Sequence, residues 1–185
     1  MLKLGVVIAS VRPGRVGLPV GEWFFETAKK HGKFDVTLID LAEVNLPLLD
    51  EPRHPRFKDY QHEHTKKWSA TVSEMDAFVF VTPEYDYSAP ASLLNALQFI
   101  YQEWNYKAAS FVSYGGVSAG TRAVNALRIT CTALKLVPLA EAVHIPFVGK
   151  TIVEGKFVAP EGLEASATVV LDELLKWSEA LKTLR

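Results

Sequence analysis

Residues 2–17, LKLGVVIASVRPGRVG, join an apolar run to a loop of small, cationic and turn-forming residues. The run Leu2–Ala9 consists mainly of valine, isoleucine and leucine, which predicts a strand buried on both faces of a parallel sheet. Apolar residues then recur at every fourth position between Leu18 and Lys30, which predicts a helix that His31-Gly32 ends. The chain therefore begins as strand, loop and helix, the first unit of an alternating α/β fold.

The same alternation continues along the rest of the chain. Further strands are predicted at Phe34–Asp40, Ala77–Thr82, Ala108–Tyr114 and Ala142–Ile145, and further helices at about 63–74, 91–103, 121–136 and 161–181. The connection 41–62 contains prolines and cannot be one continuous helix, and a small hairpin is predicted around 154–155. The pattern predicts a single domain over residues 1–185, a flavodoxin-like three-layer sandwich whose five-stranded parallel sheet has the order 2-1-3-4-5.

Composition and charge exclude several classes of protein. With 49% apolar and 22% charged residues, the chain is typical of a globular domain. A net charge of -1 gives no electrostatic reason to expect a nucleic acid or an anionic membrane as partner, and no stretch is long and apolar enough to span a membrane. The single Cys131 excludes an internal disulfide, and the first residues lack the features of a signal peptide. We therefore expect a cytoplasmic protein.

The loop Ser10-Val11-Arg12-Pro13-Gly14-Arg15 is a candidate phosphate site. In open parallel sheets, ligands bind outside the carboxyl ends of the strands, where the strand order reverses. The loop supplies a hydroxyl, two guanidinium groups and a following helix, but neither of the glycine patterns typical of nucleoside triphosphatases and dinucleotide folds. A mononucleotide phosphate is therefore favoured, although an ordinary turn with two solvated arginines explains this loop equally well on its own.

The loop Pro83-Glu84-Tyr85-Asp86-Tyr87-Ser88-Ala89-Pro90 follows the predicted third strand. Two tyrosines and a backbone restrained by prolines can form a wall and main-chain donors for a planar heterocycle. The alternative is that Tyr85 and Tyr87 only cover the end of the sheet. We expect Asn95, inside the next helix, to support this loop from behind.

These two loops, with Leu94-Asn95-Ala96 and Tyr114-Gly115-Gly116, resemble the NADPH-dependent FMN reductase family over about residues 2–140. The resemblance implies that FMN phosphate is bound by Ser10, Arg12 and Arg15 and by the backbone of Val16 and Gly17. It places the isoalloxazine along Pro83, Glu84, Tyr85 and Asp86. It brings the ring edge close to Ser113, Tyr114, Gly115 and Gly116. It also implies a homodimer or homotetramer.

The resemblance further implies an oxidoreductase that passes electrons from NADPH or NADH through FMN to a small acceptor such as free flavin, a quinone, an azo compound or a metal oxyanion. The chemistry then belongs to the cofactor, so no catalytic side chain and no metal site are predicted. A flavodoxin-like electron carrier is an alternative, but such carriers are usually strongly acidic, whereas this chain has a net charge of -1. A flavin-binding protein without turnover is a third possibility.

The chain departs from the usual family pattern at two positions, with Asp86 where asparagine is usual and Leu94 where lysine is usual. A carboxylate beside the flavin would disfavour an anionic reduced ring. Asp86 is therefore predicted either to lower the flavin potential or to face solvent.

Other candidate residues have simpler interpretations. His62 and His64 are two positions apart and would not share a helix face, so they are interpreted as surface residues rather than metal ligands. Cys131 is interpreted as a buried small apolar residue. Phe99, Tyr101 and Trp104 could belong to the core or to a subunit contact.

Overall fold

The computed structural model describes residues 1–185 and confirms the alternation of strands and helices. The strands are β1 (Leu2–Ile8), β2 (Phe34–Asp40), β3 (Ala77–Pro83), β4 (Ala108–Tyr114), β5 (Val137–Pro138), β6 (Val143–Ile145), β7 (Ile152–Val153) and β8 (Lys156–Phe157). The helices are α1 (Gly17–His31), α2 (Leu41–Val44), α3 (Glu63–Glu74), α4 (Ala91–Gln98), α5 (Thr121–Ala133) and α6 (Leu163–Lys182). Short 3-10 turns lie at Pro55–Phe57, Gln102–Trp104 and Val148–Lys150.

The main sheet is parallel and has the predicted order β2-β1-β3-β4-β5. Every residue of β3 and β4 is buried, as expected for central strands covered on both faces. The small antiparallel hairpin of β7 and β8 is also present, with positive φ at Glu154 and Gly155 in its turn.

The edge of the sheet beside β4 differs from the prediction of one strand at Ala142–Ile145. Two short strands lie there instead, β5 and β6, and each pairs with a different part of β4. The N–H of Leu139, just after β5, still donates to the Ala109 carbonyl of β4 at 2.8 Å, and regular pairing is interrupted after this bond. In the gap between β5 and β6, the Ser110 hydroxyl of β4 donates to the Glu141 carbonyl at 2.7 Å.

The predicted helix over residues 91–103 is too long, because α4 ends at Gln98. Beyond this break Phe99, Glu103 and Trp104 are all buried. The Glu103 carboxylate accepts hydrogen bonds from Ser69 at 2.6 Å and from Tyr60 at 3.1 Å. Phe99 and Trp104 are therefore core residues, and this network attaches the connection between β2 and α3 to the body of the fold.

Two apolar cores cover the two faces of the sheet. One contains side chains of α3, α4 and α5, including the tryptophans Trp68 and Trp104, and the other contains side chains of α1 and α6. Cys131 lies in the first core as predicted, and burial raises the pKa of its thiol to about 12. None of the helices combines the length and apolar character that crossing a bilayer requires.

The expectation that His62 and His64 would not share a face applies to two positions on one helix, but His62 lies outside α3. Their rings stack with centroids 5.2 Å apart. The stacking is possible because His62 precedes the first residue of α3 and has an extended backbone.

The packing of α1 on β1 depends on Gly21, and we expect Gly21→Ala to lower the free energy of unfolding. A Cβ atom at Gly21 would lie 2.6 Å from Cγ1 of Ile8, which is fully buried. The overlap should cost about 1–3 kcal/mol, more than the gain in helix propensity of up to about 1 kcal/mol. Urea unfolding measures the difference. The control is Gly149→Ala, where the added atom meets nothing within 4 Å; a Gly21→Ala variant as stable as this control would contradict the packing argument.

Candidate functional site

The loops after β1, β3 and β4 meet at the carboxyl edge of the sheet. They form a cavity of about 230 Å³, which we call the first-loop pocket. Its lining joins much of the loop after β1 to side chains at the ends of β3 and β4: Ser10, Arg12, Pro13, Gly14, Arg15, Val16, Pro83, Tyr85 and Tyr114. The structure therefore brings together residues that are more than 100 positions apart in the sequence.

The N-terminus of α1 opens onto this pocket. Val16, the residue before the helix, makes no side-chain capping hydrogen bond, and the first turn contains no acidic residue. The first N–H groups of a helix have no partner within the helix and form its positive end. Gly17 and Leu18 supply such groups here, whereas the next residue, Pro19, has none. This arrangement suits an anion.

Three hydroxyl groups converge on the same pocket. The Ser10 side chain is buried, and its oxygen lies 2.8 Å from the Tyr85 hydroxyl. Tyr114 is only 3% exposed, and its hydroxyl oxygen is buried without a hydrogen-bond partner. Burial raises the pKa of Tyr114, so this hydroxyl keeps its proton and is available as a donor.

The two arginines of the loop have different environments. Arg15 forms a forked ion pair with Asp40 at the end of β2, and it also donates to the Ser10 carbonyl at 2.6 Å. The side chains of Arg15 and Asp40 are only 15% and 8% exposed. The hydrogen bonds that Arg15 donates to Asp40 raise the pKa of Arg15 despite its burial. Arg12 is exposed and only its backbone is bonded: its N–H donates to the Ser10 hydroxyl, and its carbonyl accepts from the Arg15 N–H. Arg12 is therefore the free cation at the pocket.

The loop after β3 makes a tight turn at residues 85–88. Tyr85 and Ser88 exchange two backbone hydrogen bonds of 2.9 Å, and Asp86 and Tyr87 both have positive φ, of 49° and 66°. Such turns favour asparagine, aspartate and glycine, whereas a tyrosine with positive φ is strained. The Asp86 side chain is exposed, which matches the solvent-facing alternative of the sequence prediction.

The polar side-chain groups of Glu84 and Ser113 are engaged in hydrogen bonds within the protein. The Glu84 carboxylate pairs with Arg122 and accepts from Ser118 at 3.1 Å, so it joins the loops after β3 and β4. Burial acts to raise the pKa of Glu84, but the bonds from Arg122 and Ser118 hold it below its ordinary value. The buried Ser113 hydroxyl donates to the Ala119 carbonyl at 2.7 Å, and the imidazole of His144 lies 2.6 Å away.

A second, open cleft of about 480 Å³ adjoins the first-loop pocket along the loop after β3. Its lining is Glu84, Asp86, Tyr87, Gly116, Val117, Ser118 and Arg122. The Arg122 guanidinium lies 3.7 Å from the centre of the exposed Tyr87 ring. Gly116 leaves open space, since an added Cβ would meet nothing within 4 Å. Gly115 is held close to Gly120 and donates to Ile145 at 3.2 Å. An anion pocket beside an open cleft fits the phosphate and ring of a flavin mononucleotide.

Four residues that position this site were not predicted from the sequence: Asp40, Ser118, Arg122 and His144. The sequence feature that could have identified one of them is the position of Asp40, whose carboxylate follows the apolar residues at the end of β2. Asn95 also differs from its prediction, because its amide bonds to Pro47 and Leu49 rather than to the loop after β3. No group of three or more histidine, cysteine or acidic side chains is arranged to hold a metal ion.

The sequence model of the NADPH-dependent FMN reductase family matches residues 2–150. A Saccharomyces cerevisiae protein named NAD(P)H-dependent FMN reductase is 30% identical over 187 residues, covering 95% of this chain and 94% of the relative. A relative of the same name from Schizosaccharomyces pombe is 37% identical over 120 residues, and the matched region spans only 60% of that relative. A Nectria relative is 32% identical, with 64% of it covered.

Solved structures support the fold. The flavoenzyme FerB from Paracoccus denitrificans, an NAD(P)H:acceptor oxidoreductase, superposes with a TM-score of 0.76 at 18% identity, covering 97% of this chain and 98% of that one. The apo form of an NADH:FMN oxidoreductase gives a TM-score of 0.69 at 15% identity, covering 95% and 89%. The three-layer arrangement with its parallel sheet is therefore shared with flavoenzymes.

The different environments of Arg12 and Arg15 generate a prediction for stability. Arg15→Ala leaves the Asp40 carboxylate buried without its partner, and we expect a loss of about 3 kcal/mol in the free energy of unfolding. Arg12→Ala, the matched control in the same loop, should change it by less than about 0.5 kcal/mol. Chemical unfolding of the flavin-free protein measures both. Equal stabilities of the two variants would show that the Arg15–Asp40 pair does not support the loop.

Proposed function

Because the chain belongs to the NADPH-dependent FMN reductase family, we propose that it is an FMN-dependent oxidoreductase that takes electrons from NADPH or NADH and passes them to a small-molecule acceptor. The observation that carries the proposal is the first-loop pocket, where an uncapped helix N-terminus, hydroxyl groups and the free Arg12 converge. This donor set suits the phosphate of a mononucleotide. The open cleft beside the pocket leaves space for a planar ring.

Each part of the site has a separate task in this proposal. The phosphate would be held by Ser10, Arg12 and the backbone of Val16 and Gly17. The ring would lie along the backbone of residues 83–86, with Gly115 and Gly116 at its edge. FMN supplies the hydride and electron transfer when bound, so the chain itself has only to anchor it, orient it and leave the ring accessible. The Glu84–Arg122 pair fixes the spacing of the two loops that border the ring.

Small acceptors such as a free flavin, a quinone, an azo compound or a metal oxyanion fit this proposal better than a protein partner. The cleft is open to solvent, and a net charge of -1 does not provide the acidic surface on which electron carriers depend. We also propose a homodimer or homotetramer. Its support is the resemblance to the family and the exposure of Leu48 and Phe57, which are 81% and 59% accessible.

Purification followed by a visible spectrum and steady-state assays tests the function. We expect a bound or readily bound flavin, and oxidation of NADH or NADPH that depends on added FMN or benzoquinone. A flavin that binds but that neither nicotinamide reduces would contradict the proposal and favour a carrier or a flavin-binding protein without turnover.

The position of Asp86 generates a prediction for the flavin potential. Its carboxylate is exposed, and a charge in contact with water acts on its neighbours through a high effective dielectric constant. We therefore expect Asp86→Asn to leave the midpoint potential of the bound flavin unchanged, as should Asp35→Asn at the opposite end of the sheet. Spectroelectrochemical titration measures the potential. A more positive potential in Asp86→Asn alone would show that this carboxylate does act on the reduced ring.

A further inference from the structure

We propose that Tyr114 is a phosphate ligand, donating its hydroxyl hydrogen bond to the FMN phosphate, and that Arg15 positions the loop instead of binding the phosphate. The inference rests on the proposed FMN function and changes two assignments that the family resemblance implies. In that assignment, Tyr114 lies at the edge of the ring and Arg15 lies on the phosphate. The evidence is the environment of each side chain in the structure.

The Tyr114 hydroxyl is a buried donor without an acceptor in the protein. Tyr114 ends β4 and is 3% exposed, yet its hydroxyl oxygen has no hydrogen-bond partner. Buried polar groups in proteins are almost always paired, because an unmade hydrogen bond loses the solvation of the group without compensation. Since the same side chain lines the first-loop pocket, a ligand bound there can supply the missing acceptor.

The hydroxyl is directed at the start of α1. A Cβ atom on Gly17 would lie 2.4 Å from the Tyr114 oxygen and 3.6 Å from the Ser10 Cβ. Glycine at this position therefore lets the tyrosine reach the first turn of the helix, where backbone N–H groups have no helical partner. An anion at this helix end would meet the Tyr114 hydroxyl and these N–H groups together.

Arg15 makes three hydrogen bonds within the protein, two of them to Asp40. One terminal nitrogen of its guanidinium donates to the Ser10 carbonyl and to Asp40, and the other donates to the second oxygen of Asp40. Turning toward a phosphate would leave the nearly buried Asp40 carboxylate without its partner. The pair is also electrically neutral, so the net positive charge of the loop comes from Arg12.

The test compares FMN with riboflavin, which lacks the phosphate, in titrations of flavin-free protein. For Tyr114→Phe we expect the FMN affinity to fall about 10- to 100-fold, the range for a hydrogen bond to a charged group. The riboflavin affinity should not change, and the thermal stability of the flavin-free protein should stay the same or rise. Tyr60→Phe is the matched control, because its hydroxyl is bonded to Glu103 at 3.1 Å. That variant should lose stability and keep the wild-type ratio of FMN to riboflavin affinity.

Two results would overturn the inference while leaving the proposed function intact. One is an unchanged ratio of affinities in Tyr114→Phe, and the other is an equal loss for both flavins, as a contact with the ring would produce. A wild-type protein that binds no FMN would instead overturn the proposed function. If Tyr114→Phe does not fold, Gly17→Ala places a methyl group against the hydroxyl and should reduce the preference for FMN; a fully retained preference would again overturn the inference.

Discussion

The structure depends on the burial of its central strands. Every residue of β3 and β4 is buried, as are the last five residues of β1, so all three must be hydrogen-bonded on both sides within the sheet. Parallel pairing then sends their carboxyl ends to one edge. The polar loops that follow these strands therefore meet there. The site is a direct consequence of where the apolar runs end.

The sequence predicts those parts of the fold that local patterns determine. The limits of β2, α3 and β4 agree with the prediction because an apolar run or a helical period ends at a clear boundary. The end of α4 was missed because it depends on Glu103, whose partners Tyr60 and Ser69 are 43 and 34 positions away. The divided fifth strand was missed because its pairing depends on the position of β4.

Prediction of the candidate site is limited in the same way, to what local patterns determine. The strand-end rule correctly brings Ser10, Tyr85 and Tyr114 into one pocket. It cannot say which charges pair, because Arg15 meets Asp40 only after β2 has aligned beside β1. Glu84 and Arg122 are likewise 38 positions apart. In both pairs the cation and the anion neutralise each other. A list of the charged residues in the loops therefore overestimates the number of charged groups that are available to a ligand.

Several departures from good local structure lie at this edge of the sheet. Asp86, Tyr87 and Phe147 have positive φ without being glycine, and Phe147 donates a backbone hydrogen bond to Gly116 in the loop after β4. The unpaired Tyr114 hydroxyl lies at the same edge. Such features cost stability and persist where the surrounding structure holds them in place. Here the buried sheet and the two ion pairs provide that support, so the loops can keep strained turns and an unused donor in position for a ligand instead of relaxing around one another.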